Sequence, residues 1–219
     1  MKIIISCCDR KNGGPLIHNG EVINFVSHVD QVVPNDEMYF HPDDLVPNDL
    51  ITWRELVSQQ GQNNYLQPAY ELYKPPIYNS LYQNYGNDLF IFSAGWGIVR
   101  ADYKLPKYNV TFAKGKNVPK SAKRYRNDCF HDFNHLESKD NRTDEEIVLI
   151  APKDYVTPFC QLTNNLQNKK IIFYFGDEIK SKFINKPDFE FRKIPFITNN
   201  NRKWHYELAQ LLIKNEIAI

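Results

Sequence analysis

Four short apolar runs punctuate the chain, and each ends in a polar or glycine-containing turn. Lys2–Ile5 precedes Ser6-Cys7-Cys8-Asp9-Arg10-Lys11-Asn12-Gly13-Gly14, and Leu89–Phe92 precedes Ser93-Ala94-Gly95-Trp96-Gly97. Ile147–Ile150 precedes Ala151-Pro152-Lys153-Asp154-Tyr155, and Lys170–Phe175 precedes Gly176-Asp177-Glu178. Continuous apolar runs of this length fit strands buried on both faces of a parallel sheet. Helical spacing falls between and after them. Over Glu71–Tyr85 it takes in Leu72, Tyr73, Ile77, Leu81, Tyr82 and Tyr85, with Pro75-Pro76 marking the true start. Tyr155–Leu166 predicts a second helix, interrupted at Pro158. Arg202–Lys214 predicts a third, with Trp204, Leu208, Leu211 and Leu212 on one face. The pattern therefore predicts an α/β fold: a mostly parallel central sheet flanked by helices.

Two regions depart from that grammar. Within residues 15–60, Ile17-His18-Asn19-Gly20-Glu21-Val22 reads as a hairpin through an Asn-Gly turn, and the proline-rich remainder as an elaborated loop. Residues 114–146 are polar, charged and aperiodic, which predicts an exposed insertion. We read 1–219 as a single domain carrying both elaborations. If the four strands are parallel, their carboxyl ends share one edge, where open α/β sheets bind ligands. The four turns then converge on one pocket.

Composition narrows the partners. The chain has 219 residues, 42 % of them apolar, and a formal net charge of +1, so no whole-molecule field drives binding to nucleic acid or membrane. The charge is unevenly distributed. Residues 1–60 are acid-rich, whereas 114–126 holds Lys114, Lys116, Lys120, Lys123, Arg124 and Arg126 without an acid. That run is the best local candidate for phosphate contacts, with solvated charge as the alternative. No apolar run reaches membrane-spanning length, and the first is too short for a signal peptide. The four cysteines (Cys7, Cys8, Cys129, Cys160) make no disulfide framework, and the adjacent pair would be strained if bridged. We expect a reducing, cytoplasmic setting.

Candidate chemistry gathers at the strand ends. Cys7, beside Asp9, Arg10 and Lys11, is a candidate nucleophile, with Asp9 or Lys11 managing protons. The plain alternative is a small buried residue beside a structural turn. Ser6, Ser93, Gly95 and Gly97 could cradle an anion or a base edge, Trp96 and Tyr108 could stack on a base, and Arg100 could grip phosphate. Asn109, Lys153 and Asp154 complete the candidate ligand set. Cys129, His131 and His135 invite a metal reading, but no second cysteine stands at suitable spacing, so no metal or other cofactor is expected. P-loop, GxGxxG and GxSxG motifs are absent.

These residues resemble the YaaA-like family of peroxide-stress proteins, especially its shorter relatives. The resemblance rests on Ser6-Cys7 with Lys11, Leu72-Tyr73 leading to Ile77-Tyr78, and Ser93-Ala94-Gly95-Trp96-Gly97-Ile98-Val99. It continues through Pro106-Lys107-Tyr108-Asn109 with Thr111, where Lys107 is an insertion relative to the family's Pro-Tyr pair, and through Ala151–Tyr155. It implies an α/β core with a positively charged cleft and DNA binding linked to oxidative stress or base modification. The resulting expectation is a protein that binds DNA or a nucleobase-containing ligand at the shared edge. If catalytic, it would carry out base-directed hydrolysis or transfer, and an N-glycosidic reaction would turn to Asp9 or Asp154. A non-catalytic DNA-binding or stress-protection module, and a small-molecule nucleotide or N-glycoside enzyme, are the alternatives.

Overall fold

The structure is a computed structural model. It describes residues 1–14, 16–23, 42–46, 49–59, 66–112, 132–137, 144–176, 183–198, 200–217 and 219. The basic run 114–126, Cys129, His131, Asp177 and Glu178 lie outside the described residues.

Eleven strands are described: β1 (Lys2–Ser6), β2 (Leu16–His18), β3 (Glu21–Ile23), β4 (Gln67–Pro68), β5 (Leu89–Ser93), β6 (Gly97–Arg100), β7 (Lys104–Leu105), β8 (Phe133–Asn134), β9 (Ile147–Ile150), β10 (Lys170–Tyr174) and β11 (Phe189–Lys193). Seven of them form one sheet in the order β11-β10-β9-β1-β5-β6-β8. The five from β11 to β5 run parallel, β6 turns back antiparallel to β5, and β8 runs parallel to β6. The four apolar runs of the sequence thus supply the parallel strands β1, β5, β9 and β10. Every residue of β1, β5 and β9 is buried, which is why these strands show no polar alternation.

β1 occupies the middle of the sheet. Ile3, Ile4 and Ile5 pair with Leu89, Phe90 and Ile91 on one side and with Val148, Leu149 and Ile150 on the other. The chain first leaves β1 toward β5 and later returns to β9 on the opposite flank. That reversal makes the carboxyl end of β1 a topological switch point, where loops diverge and leave a crevice.

The helices are α1 (Trp53–Ser58), α2 (Ala69–Leu72), α3 (Ile77–Tyr85), α4 (Val156–Leu162) and α5 (Trp204–Ile213). α3 and α5 pack on each other, and they also touch β5 and β9 respectively. α3 starts after Pro75-Pro76, and the short α2 precedes it, so the single period over Glu71–Tyr85 is two helices split by extended Tyr73. Pro158 does not interrupt α4. It sits in the first turn, where its missing N–H and fixed φ cost nothing. No helix among the described residues is long and apolar enough to cross a membrane.

The elaborations are only partly as expected. The hairpin β2–β3 turns through Asn19 and Gly20, both at positive φ. α1, inside the expected loop, is set by a capping box: Thr52 accepts Glu55 N–H while the Glu55 carboxylate accepts Thr52 N–H. The expected exposed insertion is corrected over 132–137, where β8 extends the sheet and Phe133 and Leu136 are buried anchors. The turn after β5 is likewise a hairpin into β6, with Ser93 opposite Gly97.

Gly97 has φ +94°, and a Cβ there would lie 2.3 Å from Phe133 O and 2.6 Å from Asp132 Cβ. Gly20 also has positive φ, but a Cβ there meets nothing within 4 Å. Gly97→Ala is expected to lose roughly 3 kcal/mol or more by combined strain and clash, and Gly20→Ala only about 1 kcal/mol. Urea denaturation of the two variants checks the order, and equal losses would contradict the close docking of β8.

Candidate functional site

At the carboxyl end of β1 lies a cavity of about 370 Å³. It is lined by Ser6, Cys7, Cys8, Asp9 and Lys11 after β1, by Asn109, Val110 and Thr111, by Pro152, Asp154 and Tyr155 after β9, and by His205 and Tyr206 of α5. Its position is the switch point itself.

The loop after β1 is strapped in place by backbone bonds. Cys7 N donates to Phe92 O (2.9 Å), Asn12 N to Leu72 O (2.6 Å) and Lys74 N to Arg10 O (3.1 Å). Lys11 also bridges to Tyr73. These bonds turn the Lys11 side chain inward, leaving it 5 % exposed. Its ammonium donates to Cys8 O (2.8 Å) and Asp9 O (3.5 Å) and lies 4.2 Å from the centre of the Tyr108 ring and 5.6 Å from that of Tyr73. No carboxylate pairs with it among the described residues. Burial holds its pKa below the usual lysine value, against the upward pull of Cys7, Cys8 and Asp9.

Beneath the cavity runs a hydrogen-bonded layer. Ser93 Oγ donates to Tyr108 Oη (2.6 Å), and Tyr108 and Tyr73 share a bond of 2.7 Å. Cys7 Sγ accepts Ala94 N–H (3.4 Å) and shares a bond with Tyr155 Oη (3.2 Å). On the side toward α5, Tyr78 Oη donates to Ser6 O (2.8 Å) and meets Tyr206 Oη at 3.3 Å. Burial pushes the Tyr73, Tyr78, Tyr108 and Tyr155 phenols well above their usual value, so they are neutral at physiological pH. Burial likewise raises the Cys8 thiol.

Two polar atoms on the wall have no protein partner. Ser6 Oγ and His205 Nδ1 are buried without a hydrogen bond, in side chains that line the cavity. Unsatisfied buried groups are costly, on the order of 1–3 kcal/mol each, and a turn of either side chain toward the cavity would let a ligand or water satisfy it.

The structure thus gathers Ser6, Cys7, Asp9, Lys11, Asn109 and Asp154 around one cavity. Asp9 is exposed and accepts Arg10 N–H at 2.8 Å, which places it at the rim. Other expected site residues are placed differently. Gly95 and Trp96 direct their N–H groups to Ser93 Oγ (3.3 and 3.1 Å), so the turn satisfies its own amides instead of offering them to an anion. Trp96 is fully buried, edge-on to Tyr108, and presents no stacking face. Gly97 serves the approach of Phe133. Tyr108 is buried under Lys11 and does not stack on a ligand. Arg100 stands opposite Phe90, toward the far end of β5, and forms an ion pair with Asp102 at 2.5 Å. Lys153 is exposed and does not line the cavity. His135 Nδ1 accepts Arg100 N–H (3.2 Å), which commits that ring nitrogen.

Sequence reasoning missed Tyr155 as the Cys7 partner, Tyr73 as the second ring near Lys11, and His205. Tyr73 and Tyr155 stood inside quoted motifs. His205 carried no signal, because only the packing of α5 brings it to the wall. Compared with protein-family models and with curated proteins, the chain matches neither.

Burial lowers the His205 pKa to about 4 from the usual 6.5. Between those values the unfolded chain binds a proton that the folded chain refuses, so stability falls as pH drops through this window. His205→Gln is expected to flatten that fall by up to roughly 3 kcal/mol. The similarly lowered His135 is present in both proteins and cancels. Denaturation midpoints from pH 7 to pH 4 test this, and superimposable acid limbs would contradict it.

Proposed function

We propose that the chain binds a nucleotide, either free or as a unit of DNA, in the cavity at the carboxyl end of β1. The observation that carries this reading is the Lys11 ammonium, buried beside an open cavity and hydrogen-bonded to carbonyls, with no carboxylate ion-paired to it among the described residues. A buried cation without a carboxylate is a standing cost to the fold, which an anionic or electron-rich ligand offsets. A cavity of about 370 Å³ suits a ligand of nucleoside size. Ser6 and His205 line the cavity, and a turn of either side chain would bring its unpaired polar atom to the polar edge of a base. The resemblance to YaaA-like proteins supports the same ligand class, and the 114–126 run supports contacts to a phosphate backbone.

If the site is catalytic, the reaction is a base-directed hydrolysis or transfer, with Cys7 as nucleophile at the cavity floor. Lys11 would move the proton, and Asp154 at the rim is the carboxylate to test for N-glycosidic chemistry. The hydrogen bonds that tie Cys7 to Ala94 and Tyr155 favour a second reading, a non-catalytic nucleic-acid-binding module in which this thiol is structural. Cys7→Ala separates the two, because it abolishes turnover in the first and leaves affinity intact in the second. The free thiols of Cys7, Cys8 and Cys160 suit a reducing, cytoplasmic setting.

Lys11→Met keeps the packing over Tyr108 and removes the charge. It is expected to weaken binding of nucleoside monophosphates or oligonucleotides at least tenfold, while stabilising the fold by roughly 1 kcal/mol or more. A lysine whose pKa is lowered by folding carries its penalty in full below the folded pKa and loses it as pH rises toward 10.5. The stability advantage of the variant therefore shrinks over that rise. Calorimetric titration and thermal melts check both halves. Unchanged affinity for every nucleotide and oligonucleotide, at low and high salt alike, would overturn the reading.

A further inference from the structure

We propose that the Lys11 amine is a covalent nucleophile toward the open-chain aldehyde of a deoxyribose phosphate, the sugar left when a nucleotide has lost its base. This rests on the nucleotide reading above and adds a reaction to it.

Three observations support it. First, Lys11 lines the cavity with a side chain that is 5 % exposed, its Nζ held by Cys8 O (2.8 Å) and the Tyr108 ring (4.2 Å). Two carbonyls and two ring faces hold the group in place, while its burial away from water favours the neutral, nucleophilic form over the ammonium. The lowered pKa agrees with this geometry. Second, Lys11 is the only amine among the described residues lining the cavity, so an aldehyde held there meets one nitrogen. Third, Ser6 lines the same cavity and its buried hydroxyl has no partner, so a turn of its side chain toward the cavity would let it donate to a carbonyl oxygen.

The step balances without an oxidant or reductant. The nitrogen lone pair adds to the aldehyde carbon, the carbonyl π pair takes up a proton, and a carbinolamine forms. Its hydroxyl then leaves as water while nitrogen forms the C=N bond and gives up its remaining proton. Amine and aldehyde give imine and water. Cys7 could add to the same carbon as a thiohemiacetal, but hydride does not trap that adduct.

The same aldehyde occurs in two sources, an abasic site in DNA and free 2-deoxyribose 5-phosphate. The full-length protein is incubated with each in the presence of sodium cyanoborohydride, then digested and mapped by mass spectrometry. Hydride-stable adduct at Lys11, at least tenfold above that at any other lysine, is the expected result, and the more reactive probe identifies the source. Mapping the wild-type chain makes the test independent of whether a variant folds. Lys11→Arg, which keeps the charge, is expected to lose the adduct. A parallel oligonucleotide with a tetrahydrofuran abasic analogue, which has no aldehyde, reports binding alone. If it binds while neither aldehyde leaves adduct at Lys11, or if label spreads evenly over exposed lysines, the covalent proposal is overturned and the nucleotide reading stands. If no oligonucleotide or nucleotide binds and no adduct forms, both are overturned.

Discussion

Everything at the site depends on β1 being gripped on both edges. A strand paired in parallel with β5 and β9, and buried on both faces, has no freedom of register. A slip of one residue would turn each of its side chains to the opposite face. The chain that follows β1 must therefore emerge at one height and in one direction. Three further backbone bonds at Cys7, Asn12 and Lys74 carry that constraint through the loop. The inward Lys11 is the product of this sequence of constraints. Its amine is placed by a rigid sheet and a strapped loop, and no ion pair is needed to hold it.

The parallel core was legible because burial on both faces writes itself into sequence as uninterrupted apolar runs. Ile3-Ile4-Ile5 and Ile147-Val148-Leu149-Ile150 could hardly be placed elsewhere. The elements that were misread are those whose cause is not periodic. Thr52 and Glu55 spell a capping box over only four residues, too brief for a hydrophobic period to register. Phe133 and Leu136 sit among charged neighbours, so composition marked a segment whose individual anchors belong to the core. Pro158 reads as a breaker in the sequence because a proline's effect depends on its distance from a helix start that the sequence leaves undefined.

For the site, the motifs gave location better than role. Ser6, Cys7 and Lys11 came to the cavity as expected, and the Ser93 turn came to the layer beneath it. The small residues of that turn suggested open amides. Ser93 Oγ had already claimed them, a local hydrogen bond that no spacing rule reveals. Arg100 was drawn to the cleft by proximity in sequence, yet the antiparallel return of β6 carries it back toward the other end of the sheet. Residues that long-range packing brings to one cavity, such as His205 and Ser6, leave no trace in a single sequence.

The phenolic layer under the cavity has a consequence of its own. Tyr73, Tyr78, Tyr108 and Tyr155 hold their protons well above pH 10, and His205 takes one up only near pH 4. From about pH 5 to pH 9 these five groups contribute a constant electrostatic background. Such a frame acts as a fixed reference potential. Against it, a change of charge on Lys11, on a cysteine thiol or on a bound molecule would stand out as a single titration, unmasked by the many aromatic groups that surround it.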